Sequence, residues 1–129
     1  MTTGGRILLV EDDRFLRRAA EASLRQRGFA VTVAADGEEA LAKVRAEIPD
    51  LILLDLLMPK LTGIEVLRAL RAEEATKKIR VLILSNSSRE QDLEAIKELG
   101  VTDYLVKANL SPQELGDRVA QVLEGDVHG

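Results

Sequence analysis

Five short apolar runs punctuate the chain, each followed by a polar segment whose apolar residues recur at helical spacing. The runs are Arg6-Ile7-Leu8-Leu9-Val10, Phe29-Ala30-Val31-Thr32-Val33, Leu51-Ile52-Leu53-Leu54, Val81-Leu82-Ile83-Leu84 and Tyr104-Leu105-Val106. Uninterrupted aliphatic runs of this length read as strands buried on both faces. The helical patterns fall at roughly 14–27, 37–47, 63–73, 89–99 and 112–124. Asp36 with Glu39, Thr62 with Glu65, and Ser111 with Glu114 have capping-box spacing, and Pro112 stands where a first helical residue should. Gly28 and Gly100 follow the first and fourth patterns as C-terminal stops. Leu115, Val119, Val122 and Leu123 share one face of the last helix, and Gly116 within it should weaken that helix by about 1 kcal/mol relative to alanine.

Strand and helix in strict alternation predict a parallel sheet with helices on both faces. The runs at 51–54 and 81–84 are apolar throughout and suit central strands, whereas the run at 30–34, which carries Thr32, suits an edge. All strands then point the same way, and their carboxyl ends meet at one edge, where open α/β sheets bind ligands.

The residues delivered to that edge are polar. The first run leads into Glu11-Asp12-Asp13, the third into Asp55, the fourth into Ser85 and the fifth into Lys107. Two or three carboxylates brought together cannot all ionise unless something neutralises them, and Lys107 supplies one charge at most. A hard divalent ion with oxygen ligands, Mg²⁺ with a few protein ligands and waters, is the natural partner. An aspartate beside Mg²⁺ and a lysine is also a plausible nucleophile toward a phosphoryl group, with Ser85 able to donate its hydroxyl to the product. Each residue has a plainer explanation on its own: Asp55 as a turn or cap, Glu11-Asp12-Asp13 as a solvated helix start, Ser85 in a turn, Lys107 at the surface. All of them at strand ends, in this order, is hard to obtain by chance.

Composition narrows the classes. The 129 residues fit one domain able to bury a core, and a net charge of −4 argues against a general nucleic-acid binder. Phe15, Phe29 and Tyr104 are too few for a base-stacking surface. Without cysteine there is neither a disulfide framework nor a thiolate metal site. No apolar stretch approaches a membrane span and Met1-Thr2-Thr3-Gly4-Gly5 is no signal peptide, so a cytoplasmic protein is expected. The one histidine, His128, falls at a frayed C-terminus and is expected to be inert.

Taken together, Ile7-Leu8-Leu9-Val10-Glu11-Asp12-Asp13, Asp50 through Pro59 with Gly63, Leu82-Ile83-Leu84-Ser85, and Gly100 through Lys107 resemble the receiver domain of two-component response regulators over essentially the whole length. The resemblance implies a flavodoxin-like fold: a doubly wound five-stranded parallel sheet in the order 2-1-3-4-5 with five helices, as one domain over 1–129 with an ordered core of about 5–125. It implies that Asp55 is the phosphoacceptor, charged by a sensor histidine kinase, a phosphotransfer protein or a small acyl phosphate. Glu11 and Asp12 match the family's acidic pair for Mg²⁺, with Asp55 and the backbone carbonyl of Leu57 as further ligands, while Asp13 starts the first helix. Ser85 stands at the switch hydroxyl and Lys107 at the family's lysine. Tyr104 matches the aromatic that changes rotamer on activation, or serves only as a half-buried packing residue. Phosphorylation would shift the face of helix 4, strand 5 and helix 5, where Arg89, Glu90, Glu94, Lys97 and Glu98 stand, toward an unidentified protein partner, as a monomer or an activation-dependent dimer.

Some positions depart from the family pattern. Ala108 replaces the usual proline after Lys107, and a cis bond before a non-proline costs roughly 2.5–4 kcal/mol, which bears on the geometry of the lysine. Leu57 and Ser87 occupy positions that tune phosphate lifetime, and Leu57 has no group to position a water, so slow hydrolysis is expected. Asn86 replaces a small residue beside the switch hydroxyl. A signalling switch rather than an enzyme is the leading expectation. A phosphorylation-independent scaffold, or a receiver excised from a larger regulator or hybrid kinase, is the alternative. Flavin or nucleotide enzymes lack support because Glu11-Asp12-Asp13 replaces a Gly-rich loop after the first strand, and an aspartate-based phosphatase would need an acid where Leu57 stands.

Overall fold

The computed structural model describes residues 5–56, 58, 61–85, 90–101, 103–107 and 110–128. Its elements alternate: β1 (Arg6–Val10), α1 (Arg14–Gln26), β2 (Ala30–Ala34), α2 (Gly37–Ala46), β3 (Leu51–Asp55), α3 (Gly63–Ala72), β4 (Arg80–Ser85), α4 (Glu90–Glu98), β5 (Asp103–Val106) and α5 (Pro112–His128). The strands form one parallel sheet in the order β2-β1-β3-β4-β5. β3, aliphatic from Leu51 to Leu54, lies at the centre and the Thr32-bearing β2 at an edge, as their compositions suggested.

Alternation of side chains along each strand divides the core in two. Ile7, Leu9, Leu51, Leu53, Leu82 and Leu84 face α1 and α5, where they meet Leu24, Leu115 and Val119. Leu8, Val10, Ile52, Leu54, Val81 and Ile83 face the other way, against Val44 of α2, Val66, Leu67 and Leu70 of α3, and Ile96 of α4.

The helix termini follow their caps. Thr62 with Glu65 and Ser111 with Glu114 form complete capping boxes, each residue's side chain bonded to the other's backbone N–H. Asp36 accepts from Glu39 N–H, but the Glu39 carboxylate reaches one residue further back, to the Ala35 N–H at 2.7 Å. Gly28 (φ 93°) and Gly100 (φ 81°) close α1 and α4 in Schellman turns, with Phe29 N–H on the Leu24 carbonyl and Val101 N–H on that of Ile96. The last helix runs on to His128 rather than ending near 124, with His128 in its last turn. No helix among the described residues is long and apolar enough to cross a membrane.

Candidate functional site

Register brings the polar strand ends together. Val10 pairs with Leu54, so Glu11 and Asp55 leave β1 and β3 side by side. Asp55 pairs with Leu84, placing Ser85 one step beyond, and Ser85 pairs with Val106, placing Lys107 one step further. Glu11 (2% exposed), Asp55 (3%) and Ser85 (1%) are the buried acids and one of the two buried hydroxyl residues among the described residues.

The Lys107 Nζ bridges the two buried carboxylates, 2.6 Å from Glu11 Oε1 and 2.9 Å from Asp55 Oδ2. Burial pulls against the ammonium, but hydrogen bonds to Glu11 and Asp55 and their charges outweigh it and hold the Lys107 pKa above its ordinary value. The second Glu11 oxygen accepts the Asp13 N–H at 3.0 Å. Asp13 caps α1, its Oδ1 accepting Leu16 N–H at 3.1 Å, the helix-starting role its position suggested.

Asp12 completes the cluster from the exposed side: one oxygen from each of Glu11, Asp12 and Asp55 lies within 4.8 Å of the others. Among the described residues three carboxylates face a single ammonium, leaving an excess of negative charge on hard oxygen donors. That donor set fits a small divalent cation that keeps several waters.

The geometry is that of a family. A sequence profile of the response regulator receiver domain matches residues 7–120. The chain belongs to that family. Over 118 residues it is 40% identical to the alkaline phosphatase synthesis transcriptional regulatory protein PhoP of Bacillus subtilis, covering 92% of this chain and 48% of PhoP. The chain thus spans about half the length of the curated relatives it matches. Among solved structures it is similar to the chemotaxis response regulator CheY4 of Vibrio cholerae, at 32% identity and a TM-score of 0.85 over 93% of this chain and 99% of that one. It is also similar to the phosphorylated cyanobacterial phytochrome response regulator RcpA, at 33% identity and a TM-score of 0.78 over 95% and 91%.

Other residues of this receiver domain are placed as follows. Tyr104 is half-buried on β5 and packs against the core on the α2–α3–α4 side. Leu57, Asn86, Ser87, Arg89 and Ala108 lie outside the described residues, and with them the Leu57 carbonyl and the Lys107–Ala108 bond. Of the mixed-charge positions on α4, Glu94, Lys97 and Glu98 are exposed.

Two contacts at the site were not anticipated from the sequence. The Arg17 guanidinium donates from Nη1 to the Glu11 carbonyl at 3.1 Å. Gly63, the first residue of α3, donates its N–H to the Leu56 carbonyl at 2.9 Å and lies against the Asp55–Leu56 backbone, where a β-carbon would come within 2.7 Å of Leu56 Cα. In sequence Arg17 is one of several arginines on a polar helix face; only the extension of Gly63 beyond the third strand within the family motif hinted at its place.

Proposed function

We propose that this receiver domain is a phosphorylation-dependent switch in which Asp55 is the phosphoacceptor. The observation that carries the reading is the Lys107 ammonium held between Glu11 and Asp55 at the edge of a three-carboxylate cluster. Glu11, Asp12 and Asp55 would hold Mg²⁺, with the Leu57 backbone carbonyl as a further ligand. When bound, the ion supplies positive charge to the oxygens of the transferring phosphoryl group.

An Asp55 carboxylate oxygen attacks phosphorus, the bond from phosphorus to the donor breaks, and the donor leaves with that electron pair. The donor is a histidine kinase or phosphotransfer protein, or a small acyl phosphate. Lys107 then has a phosphoryl oxygen as partner, and Ser85 donates its hydroxyl to another. The pull on the end of β4 shifts the face of α4, β5 and α5, including Tyr104, toward a downstream protein. The similarity to a phosphorylated receiver, RcpA, supports the chemistry, and the chain's acidic balance supports a protein partner rather than direct contact with nucleic acid. In this reading the domain promotes its own phosphorylation without being an enzyme acting on a separate substrate.

Incubation with Mg²⁺ and acetyl phosphate, followed by intact mass, tests the proposal. One phosphoryl adduct is expected, dependent on Mg²⁺ and absent from Asp55→Asn. No adduct, together with no binding of beryllofluoride, would replace the switch with a phosphorylation-independent scaffold.

A further inference from the structure

We propose that Arg17 is a positioning residue for Asp12, fixing the direction in which this carboxylate meets those of Glu11 and Asp55. The inference rests on the reading of the cluster as a Mg²⁺ site. Of the three acids, Glu11 and Asp55 are buried and held by Lys107, whereas Asp12 is exposed. Among the described residues no side chain holds the Asp12 carboxylate, so the direction of its Cα–Cβ bond, set by the backbone on either side, decides where the carboxylate can reach.

That backbone is braced on both sides. Before Asp12, the Glu11 N–H is bonded to the Ala34 carbonyl of β2 at 3.0 Å, and the Glu11 carbonyl accepts from Arg17 Nη1 at 3.1 Å. The peptide plane joining Glu11 to Asp12 is therefore pinned by Arg17. After Asp12, the Asp13 N–H donates to Glu11 Oε2 at 3.0 Å, and the Asp13 carbonyl accepts from the Arg17 N–H at 2.9 Å. Arg17 thus touches both residues flanking Asp12, once through its half-buried side chain and once through its own backbone.

This role has a signature opposite to that of charge alone. A guanidinium near an anionic pocket repels a divalent cation, so neutralising it should tighten Mg²⁺ binding if charge were all that mattered. If Arg17 orients Asp12, removing it weakens binding despite the lost repulsion. Outer-shell groups that orient metal ligands have effects of this kind.

The test is Mg²⁺ titration of the intact protein and of Arg17→Gln and Arg17→Lys, followed by NMR of the Asp12 and Asp13 amides and by calorimetry, with thermal melts confirming the fold. Arg17→Gln is expected to weaken Mg²⁺ roughly 3- to 10-fold. In the metal-free protein it should also displace the Asp12 and Asp13 amide resonances. Arg17→Lys, which keeps the charge and part of the reach, should fall between the two. Equal or tighter binding in a folded Arg17→Gln would overturn the assignment. Absence of Mg²⁺ binding in the unsubstituted protein would instead defeat the metal-site reading, while the amide shifts would still report on whether Arg17 holds the turn.

Discussion

The guanidinium of Arg27, at the C-terminus of α1, lies across Gly116 of α5 in the space a β-carbon would take, with Arg27 Cδ 2.8 Å from that position. Arg27 donates to the Gln113 carbonyl at 3.2 Å, three residues before the glycine, and pairs with Asp117 at 2.5 Å, the residue after it. A glycine that the helix alone would disfavour is thus the seat of an interhelical clasp. Gly116→Ala must push the end of the Arg27 side chain off its partners, so its net cost should stay within about 2 kcal/mol once an intrinsic helix gain of about 1 kcal/mol is set against it. In an Arg27→Ala background the seat is vacant, and the same substitution should stabilise. Urea midpoints across the four proteins of this double-mutant cycle decide the matter; destabilisation of equal size in both backgrounds would contradict it.

Lys107 neutralises part of two buried carboxylates, so its removal strands them. Lys107→Ala should cost about 3–5 kcal/mol of stability without divalent ion, and Mg²⁺ should return part of the loss by binding the folded state. The folded pKa of Lys107 is raised above 10.5, so its contribution is fully present below the unfolded value and is lost as pH rises through the folded one. The stability gap between the two proteins should therefore be flat across neutral pH and shrink only in the alkaline range above about 10.5. Urea melts at pH 7, 9 and 11 measure it, and a gap closing already between pH 7 and 9 would show that another group dominates.

Glu39 offers the opposite sign at the other end of the scale. A hydrogen bond from the Ala35 N–H, then the Lys43 ammonium at 3.1 Å, hold its pKa below 4.5 against the pull of burial. Its stabilisation is present above the unfolded value and lost as pH falls through the lower folded value. The pair is solvent-screened, so Glu39→Gln should cost under about 1 kcal/mol at pH 7. Protonated glutamate and glutamine are near equivalents, and the two urea midpoints should converge below pH 4.5. Midpoints still separate at pH 3 would assign the difference to packing.

The strands and the polar edge were legible because each depends on one-dimensional patterns, whereas the strand order came with the family resemblance. Aliphatic runs mark buried strands, and helical crossovers between them make the strands parallel, which brings their carboxyl ends to a common edge. Glu11, Asp55, Ser85 and Lys107 could therefore be brought together before any coordinate was known. Contacts made by long side chains across loops leave no such pattern. Arg71 looks like another polar residue on an amphipathic helix, yet it donates to the carbonyls of Leu99 (2.8 Å), Lys77 (3.0 Å) and Ile79 (2.9 Å), and burial lowers its pKa. Thr76, in a stretch that reads as polar loop, is buried with its hydroxyl donating to the Leu70 carbonyl at 2.6 Å. The clasp of Arg27 on Gly116 and the reach of Arg17 to Glu11 belong to the same class. Apart from the Asp117 carboxylate, their partners are backbone carbonyls or the space a glycine leaves, which no residue type announces.

Gly63 bears on the chemistry directly. Its missing side chain lets α3 begin against the carbonyl of the proposed phosphoacceptor itself, and a β-carbon there would overlap the Asp55 carbonyl oxygen and crowd Leu56. Gly63→Ala leaves two outcomes for the backbone: α3 backs away, or the Asp55–Leu56 peptide shifts. Either should cost about 1–3 kcal/mol of stability. The second also misaligns the Asp55 carboxylate, and displacements near 1 Å at a reacting group slow reactions on the order of a hundredfold. Phosphorylation by acetyl phosphate, followed by intact mass in conditions where the variant is fully folded, should be slowed roughly ten- to a hundredfold. Gly116→Ala, which crowds the Arg27 side chain rather than the Asp55 backbone, serves as the control and should react at the unsubstituted rate. If both glycine variants slow alike, lost stability rather than displacement of Asp55 governs the rate, and Gly63 is only a packing residue.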